Sequence, residues 1–534
     1  LRIDLGGWPD MSRRTTSPSS PAAENTLFAV YDLQVSPVSF DFSGFLVVAE
    51  QHRVDQELDH LYIVIVPPGD EEGHHDNKQF SVAHISWRMN NIILPLCELL
   101  TSYSGICICQ TRQQAAGLLS TSASPTFPEH YSVEAPISRH HTGWSVLAGH
   151  LGQDIQKFRA TDQARTYARR WIDAHADGRK CVSLTLREAP FIPSRNSDLG
   201  VWGDFAGALL AEGFFPIVLR DIDTALDVPP PELEGIATFP EGTFNLALRL
   251  GLYEECYINT FVANGPAQVC FYNKNVHFLY NLTGDWLERK PSSFGRMGIH
   301  EGETPPFLNK YQRWIWQHQS AEVLFEAYQE LDADLKQDQS DGTYETNLDP
   351  VANNRIPILT FSERLSDWAH RTYETSHEEI ELAEACLDWI PDAEVSEQDS
   401  LRRLINLALS TRQLEKAAGL LEAFIEKYER TPDVLIQLGV VSEAMNDYQS
   451  ALQHYQEAAA IGETSPQVLY RLGVVHRHLG DFAKAREFLQ LLVDKGSRYP
   501  ELLFELGQAY EGLGDPVTAQ RYYEQAESIA PGKK

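Results

Sequence analysis

The chain is poor in positive charge. Its 44 Lys and Arg stand against 75 Asp and Glu, for a formal net charge of −31. Nucleic-acid and anionic-membrane surfaces need clustered Lys and Arg, so this balance argues against both partners. Long apolar runs are missing as well: no stretch reaches the roughly 18 apolar residues of a membrane span, and no membrane-crossing helix is expected. Cysteine is sparse and scattered. Cys97, Cys107, Cys109, Cys181, Cys256, Cys270 and Cys386 form no CxxC pair and no His/Cys cluster, and most lie in apolar runs such as GICICQ and AQVCFY. That usage predicts buried, reduced thiols in a cytoplasmic protein.

Several chemistries lack their motif. No GxGxxG, GxxxxGK[ST] or GxSxG occurs, which leaves dinucleotide, P-loop and α/β-hydrolase chemistry without support. His74-His75 and His140-His141 look like metal pairs, but adjacent loop residues point apart and no third ligand sits at a supporting spacing. The acids of DADLKQDQSDG do not have the spacing of an EF-hand loop and read as a solvated linker. No metal and no cofactor are expected.

What is present is enough for several domains. At 534 residues the length prior is roughly three domains, and a hydrophobic content of 43% supplies real cores. Residues 1–26 lack the apolar core of a signal peptide, and their Ser/Pro/Thr composition predicts a disordered leader in which Met11 is an alternative start.

The C-terminal end repeats. Leu438-Gly439, Leu472-Gly473 and Leu506-Gly507 recur every 34 residues. The same register aligns Leu435, Leu469 and Leu503, then Ala451, Ala485 and Ala519, then Tyr455, Leu489 and Tyr523, with Pro531 closing the last unit. Over residues 432–531 this pattern resembles the tetratricopeptide repeat. Small Gly and Ala let two helices of a unit approach closely, while large residues fill the neighbouring unit's groove. A weaker fourth unit runs through Leu404, Ala417 and Leu421, and IELAEACLDWI reads as a half-repeat before it. The array is assigned to residues 381–534. The resemblance implies a protein partner held in its concave groove.

Residues 27–335 alternate short β-branched or aromatic runs with amphipathic stretches, the signature of α/β structure. TLFAVYDL, HLYIVIVPPG and GICICQT read as strands of a first block, with FDFSGFLVVAEQHR, ISWRMNNIILPLCELLTSY and RQQAAGLLS between or after them as helices; two long helical or loop stretches follow, the second being ATDQARTYARRWIDAHAD. A second block restarts at KCVSLTLR and continues through FFPIVLRD, GIATFP, CYINTFV and VHFLYNL. Its helices are LGVWGDFAGALLAEG, with Asp198 as N-cap, then GTFNLALRLGLYEE and a short one at PAQVCFY. The expected fold is therefore α/β plus all-α. Two Rossmann-like domains (27–175 and 176–335) precede a linker (336–380) and a tetratricopeptide α-solenoid.

In a doubly wound sheet, ligands bind beyond the carboxyl ends of the strands where the strand order reverses. In the second block this places the loops after Arg187 and after Val262 side by side. The first of these loops carries Arg187, Arg195, Asn196 and Ser197, a set suited to neutralising a diphosphate without metal. The alternative is that Arg187 pairs with Glu188 or Asp221 and that Arg195 is merely solvated. The second loop is Ala263-Asn264-Gly265-Pro266. Pro266 suits a first helical position, Gly265 permits close backbone approach, and free N–H groups at a helix start hold anions. An ordinary strand–helix turn would use the same residues.

The block from 181 to 285 resembles the donor half of GT-B glycosyltransferases, most closely the fucosyltransferase type. There an Arg at a strand end contacts the donor phosphate, and a later strand leads into a Ser/Gly-rich loop opening a helix. Arg187 and ANGPA occupy those positions here. Asn264-Gly265-Pro266 replaces the Ser-rich loop, and TLRE replaces the family's His-x-Arg run. The resemblance implies a nucleotide-sugar donor. Arg187 and the 264–266 helix start would stabilise the leaving diphosphate, while Arg195, Asn196 and Ser197 position it. Glu241 would bind a ribose or sugar hydroxyl, or is simply an acid favoured at a helix start. Asp41 would be the general base of the acceptor side, or is the N-cap of its helix. Trp87, Arg88, Asn90 and Asn91 line the cleft or form a solvated helix face. Two further readings stand beside the transferase: a non-catalytic scaffold built on a degenerate GT-B-like domain, and a GT-B-shaped nucleotide-sugar epimerase.

Overall fold

The computed structural model describes residues 25–69, 81–122, 124–190, 192–282, 294, 297–344, 354–372, 382, 385–386, 389–390, 398–410, 412–428, 430–462 and 465–529. The chain divides into two compact units, 1–382 and 383–534.

The first unit opens with β1 (Thr26–Asp32), α1 (Phe42–Asp55), β2 (His60–Val66) and α2 (Val82–Arg88). A π-helical turn, Met89–Ile93, joins α2 to α3 (Leu94–Cys97), and β3 (Tyr103–Ile108), α4 (Arg112–Thr121), β4 (Thr126–Phe127), α5 (Thr142–His150) and α6 (Asp162–His175) follow. The four strands pair in parallel in the order β3-β2-β1-β4. All seven residues of β1 are buried, as expected of a parallel strand covered on both faces.

A second parallel sheet follows. It is built from β5 (Cys181–Thr185), α7 (Leu199–Ala211), β6 (Phe215–Leu219), β7 (Ala237–Thr238), α8 (Pro240–Phe244), α9 (Leu246–Glu255), β8 (Ile258–Val262), α10 (Gln268–Phe271), β9 (Phe278–Asn281), β10 (Gln312–Ile315) and α11 (Ala321–Asp341). The order is β10-β9-β8-β5-β6-β7. The first and fourth strands of the block, β5 and β8, are therefore neighbours, and the strand order reverses between them. One face of this sheet packs Val182, Leu184, Val262 and Ile315 against Trp202 and Phe205 of α7 and Tyr328, Leu331 and Leu335 of α11.

Several elements differ from the sequence reading. Strands β4 and β10 were not anticipated, the first because two residues carry no periodicity, and α5 falls in a stretch that reads as either helix or loop. The helix expected at GTFNLALRLGLYEE breaks at Asn245, whose side chain leaves helical geometry to accept from Leu248 N–H and cap α9. Helix α6 packs on α9, where Gly251 leaves room for the Ala164 backbone and Arg169 pairs with Glu255 at 2.7 Å. The stretch expected as a linker from 336 begins inside α11, which ends at left-handed Gly342, and it also contains α12 (Ile358–Thr372). Leu335 is fully buried, which keeps α11 helical this far. Thr26, expected at the end of the leader, opens β1. Residues 1–24 and Pro531 lie outside the described residues, as does most of IELAEACLDWI.

The second unit is a run of helical pairs: Gln398–Ser410 with Leu414–Lys427, Pro432–Ala444 with Tyr448–Ile461, Pro466–His478 with Phe482–Asp494, and Pro500–Gly512 with Pro516–Ile529. Three first helices begin at Pro432, Pro466 and Pro500, where a missing N–H costs nothing. A Cβ on Gly439 would meet the Tyr455 ring at 2.4 Å, one on Gly473 would meet Leu489 at 2.6 Å, and one on Gly507 would meet Tyr523 at 2.5 Å. These glycines set the closeness of the last three pairs. Ala451 and Tyr455 then pack on Val468, Leu472 and Val475 of the following unit, so the core runs continuously through the array.

Candidate functional site

Arg187 lies two residues beyond β5 and is 7% exposed. Its backbone N–H donates to Ser197 Oγ at 3.0 Å, and Ser197 N–H returns to the Arg187 carbonyl at 2.9 Å, which closes the loop on itself. The guanidinium donates to the Ile192 carbonyl at 3.0 Å and to Asn196 Oδ1. Asn196 in turn donates to the Ala189 carbonyl at 2.9 Å. Inside this loop Ile192 sits at φ 51° and opens the turn Pro193–Arg195. That turn carries Arg195 across to β8, where its Nη2 donates to the Ala263 carbonyl at 3.3 Å.

The two cations feel each other. Burial, then Arg195, lowers the Arg187 pKa below its ordinary value, while Asp221 opposes. The acids proposed as partners for Arg187 are engaged in their own network. Glu188 accepts a two-pronged pair from Arg220 at 2.6 and 2.8 Å and a third bond from Thr224 at 2.8 Å. Asp221 accepts the Glu188 N–H at 2.7 Å, and burial raises its pKa. Arg220 was missed in the sequence. Its signal was its place at the end of β6, in VLRD, which repeats the strand-end position of Arg187 in TLRE.

On the neighbouring strand end, Asn264 Oδ1 accepts from Ala267 N–H at 3.1 Å. Gly265–Ala267 forms a 3-10 turn with Pro266 in its first turn, leading into α10. This corrects the expectation of free N–H groups there: the capping carboxamide already takes Ala267, and the helical stretch ends at Phe271. The Asn264 side chain is 9% exposed, and its buried Nδ2 has no hydrogen-bond partner. Gly265 is required by contact, since a Cβ would meet the Phe40 ring at 2.6 Å.

That contact brings in the first sheet. Asp41 directly precedes α1 but makes no side-chain cap, so the capping alternative fails. Its Oδ2 accepts from Ser39 Oγ at 2.7 Å and its Oδ1 from Gln268 Nε2 at 3.4 Å. Gln268 Oε1 accepts from Ser43 Oγ at 2.6 Å. Asp41 therefore lies against the segment that follows β8. Gln268 was not singled out beforehand, and no local pattern would have marked it.

Other expected residues fall elsewhere. Glu241 lies in the first turn of α8, where Oε1 accepts from Tyr167 of α6 at 3.4 Å, and Oε2 is buried without a partner. Asn90 and Asn91 donate to the Ser86 and Trp87 carbonyls one turn back, and Trp87 is exposed, as on a solvated helix face. Arg88 instead donates to the Val38 carbonyl and braces the loop before Asp41. Among the described residues no three His, Cys, Asp or Glu side chains form a metal cluster. His141 accepts from Gly143 N–H at 3.1 Å and caps α5, His140 bonds Ser138, and His74-His75 lie outside the described residues. No described helix is long and apolar enough to cross a membrane.

The tetratricopeptide repeat family matches residues 402–466, 443–503 and 500–533. No curated protein matches the chain. Among solved structures the chain is similar to a MamA protein, at 19% identity over 32% of this chain and 91% of that one, with a TM-score of 0.27. It is likewise similar to YrrB, described as a TPR protein with an unusual peptide-binding site, at 18% identity, 33% and 87% coverage and a TM-score of 0.27. MamA 41-end from Desulfovibrio magneticus RS-1 is similar at 15% identity, 33% and 97% coverage and a TM-score of 0.28. The C-terminal region is thus made of tetratricopeptide repeats, which point to a protein-interaction role and a protein partner.

Proposed function

We propose that the protein is a cytoplasmic, metal-independent glycosyltransferase of GT-B-like design, with Rossmann-like halves at 27–175 and 176–335. It takes its sugar from a nucleotide-sugar donor, and its repeats recruit the protein acceptor or an assembly partner. The observation that carries this reading is the convergence of the two strand ends. Arg195 is bonded to the carbonyl of Ala263, Arg187 lies within its electrostatic reach, and Asp41 contacts Gln268 just beyond. Two guanidinium groups and the unpaired Asn264 amide suit the oxygens of a departing diphosphate, whose charge grows as the sugar–oxygen bond breaks. In an inverting transfer the acceptor hydroxyl would attack the sugar carbon while Asp41 takes its proton. Asn196 and Ser197 hold Arg187 and its loop in place, and Glu241 has no assigned role in this scheme.

One observation favours the scaffold reading instead. The Arg187 guanidinium bonds the carbonyl of Ile192 and the side chain of Asn196, so it also serves as a brace for its own loop. Arg195→Ala is therefore the sharper probe, because its bond spans two loops rather than folding one. A thermal-shift panel of nucleoside diphosphates and nucleotide sugars tests the proposal. At a hundredfold excess over Kd, one nucleotide should add about 2.7 kcal/mol of stability. Arg195→Ala should lose most of that gain while keeping its unliganded melting temperature. A flat panel at millimolar ligand with wild-type protein would sink the transferase and leave the scaffold.

A further inference from the structure

Cys107 lies on β3 and Cys109 directly follows the strand, its N–H still donating to the Ile65 carbonyl of β2 at 3.0 Å, so the two side chains emerge from the same face. Their sulfur atoms lie 3.8 Å apart. Strand β3 is the edge of its sheet, paired only with β2, and the pair rests in the apolar layer formed by Val64, Ala115, Leu118 and the Tyr62 ring. Cys109 is 3% exposed, while Cys107 is only half-buried and opens the pair to solvent. The alternation of this strand, rather than any recognisable motif, makes the two thiols a unit.

We propose that Cys107 and Cys109 form a two-coordinate site for a monovalent, thiophilic metal ion of the Cu(I) class. Number of ligands and distance both lead there. Among the described residues no third His, Cys, Asp or Glu joins them, so a structural zinc site, which needs four ligands, is out of reach. Hard cations want oxygen ligands, whereas soft thiolates select Cu(I). Two metal–sulfur bonds of about 2.3 Å each, set in the near-linear arrangement two ligands prefer, span up to about 4.6 Å, so sulfurs now 3.8 Å apart take up one ion by rotating slightly away from each other. On binding, each thiol gives up its proton to solvent and forms one metal–sulfur bond, and the oxidation state of the metal does not change.

Competition between the full-length protein and a chromogenic Cu(I) chelator under reducing, anaerobic conditions tests the site. Wild type should withdraw one equivalent of Cu(I), and C107S and C109S should each lose that equivalent. The wild-type pair should also release about two protons per ion in weakly buffered solution. C107S is the safer variant, because its position is half-buried and serine replaces the thiol with little change of shape. Equal Cu(I) uptake by wild type and the C107S/C109S double variant would overturn the proposal. So would uptake that survives in C107S, since one thiolate cannot supply both bonds.

Discussion

Gly507 and Gly265 occupy comparable tight places in the two units of the molecule. A Cβ on the first would meet Tyr523 at 2.5 Å, and one on the second would meet Phe40 at 2.6 Å. The difference is in their recurrence. The Gly507 contact is repeated by Gly473 with Leu489 and by Gly439 with Tyr455, always sixteen residues along the chain. The Gly265 contact happens once and joins residues more than two hundred positions apart. The repeat unit spreads its stability over many copies of one local contact, whereas the α/β unit concentrates it in a few long-range contacts used once.

The largest effect that would sharpen this contrast is at Asp32. Its carboxylate is fully buried at the end of β1, held by Arg112 through two bonds of 2.8 Å and by Tyr131 at 2.6 Å. Asp32→Ala strands the guanidinium, and breaking a buried pair costs about 3–5 kcal/mol. The readouts separate largely, because nine of the ten tryptophans lie in the first unit and Trp389 alone lies in the second. Tryptophan fluorescence should report an early loss of the first unit while much of the helical circular dichroism persists. Simultaneous loss of both signals would break the comparison.

A smaller effect is expected from Gly473→Ala, which forces a methyl group against Leu489. Overpacking of this kind costs about 1–3 kcal/mol. Here urea should melt part of the helical signal earlier and leave the tryptophan transition unchanged. A variant as stable as wild type would show that the array tolerates wider spacing than its repeated glycines indicate.

The last effect, the smallest over any single pH unit, is a pH dependence in the first unit. Burial pushes the His150 pKa down to about 4, with Arg364 adding to the effect and Glu303 opposing it. The ring accepts the Ile356 N–H at 3.2 Å on Nδ1, so the fold wants it neutral. A depressed folded-state pKa means that full stability is present above the unfolded value near 6.5. It is lost as pH falls from there towards about 4. The slope from this ring is at most about 1.4 kcal/mol per pH unit in that window. His150→Asn, compared with wild type by tryptophan fluorescence across it, should flatten the curve; parallel curves would show that the ring is already charged in the fold.

The same contrast decides what was legible in the sequence. The 34-residue register exposed the array, because a contact used several times leaves a period. The strands of the second sheet other than β10 were legible through their runs, and so was the adjacency of β5 and β8 through the winding rule. Asp198 caps α7 as expected, accepting from Gly200 and Val201 N–H. Gln268 and Arg220 were not legible as part of the site. Each acts through a partner far away in sequence, Asp41 for one and Glu188 for the other, and a contact made once leaves no pattern. Strand β10 was hidden for a related reason: its four residues include Gln312 and Arg313, and pairing with β9, rather than composition, makes them a strand.

The glycine shared by the last three helical pairs has a consequence for how this protein can be altered. Because every unit offers the next the same surface, the length of the array behaves as an adjustable dimension. Removing or duplicating a block of 34 residues, say from Pro466 to Tyr499, reproduces the same junction that was there before. A binding surface could thus be lengthened or shortened by whole steps, as one resizes a chain by its links, while the α/β unit is left alone.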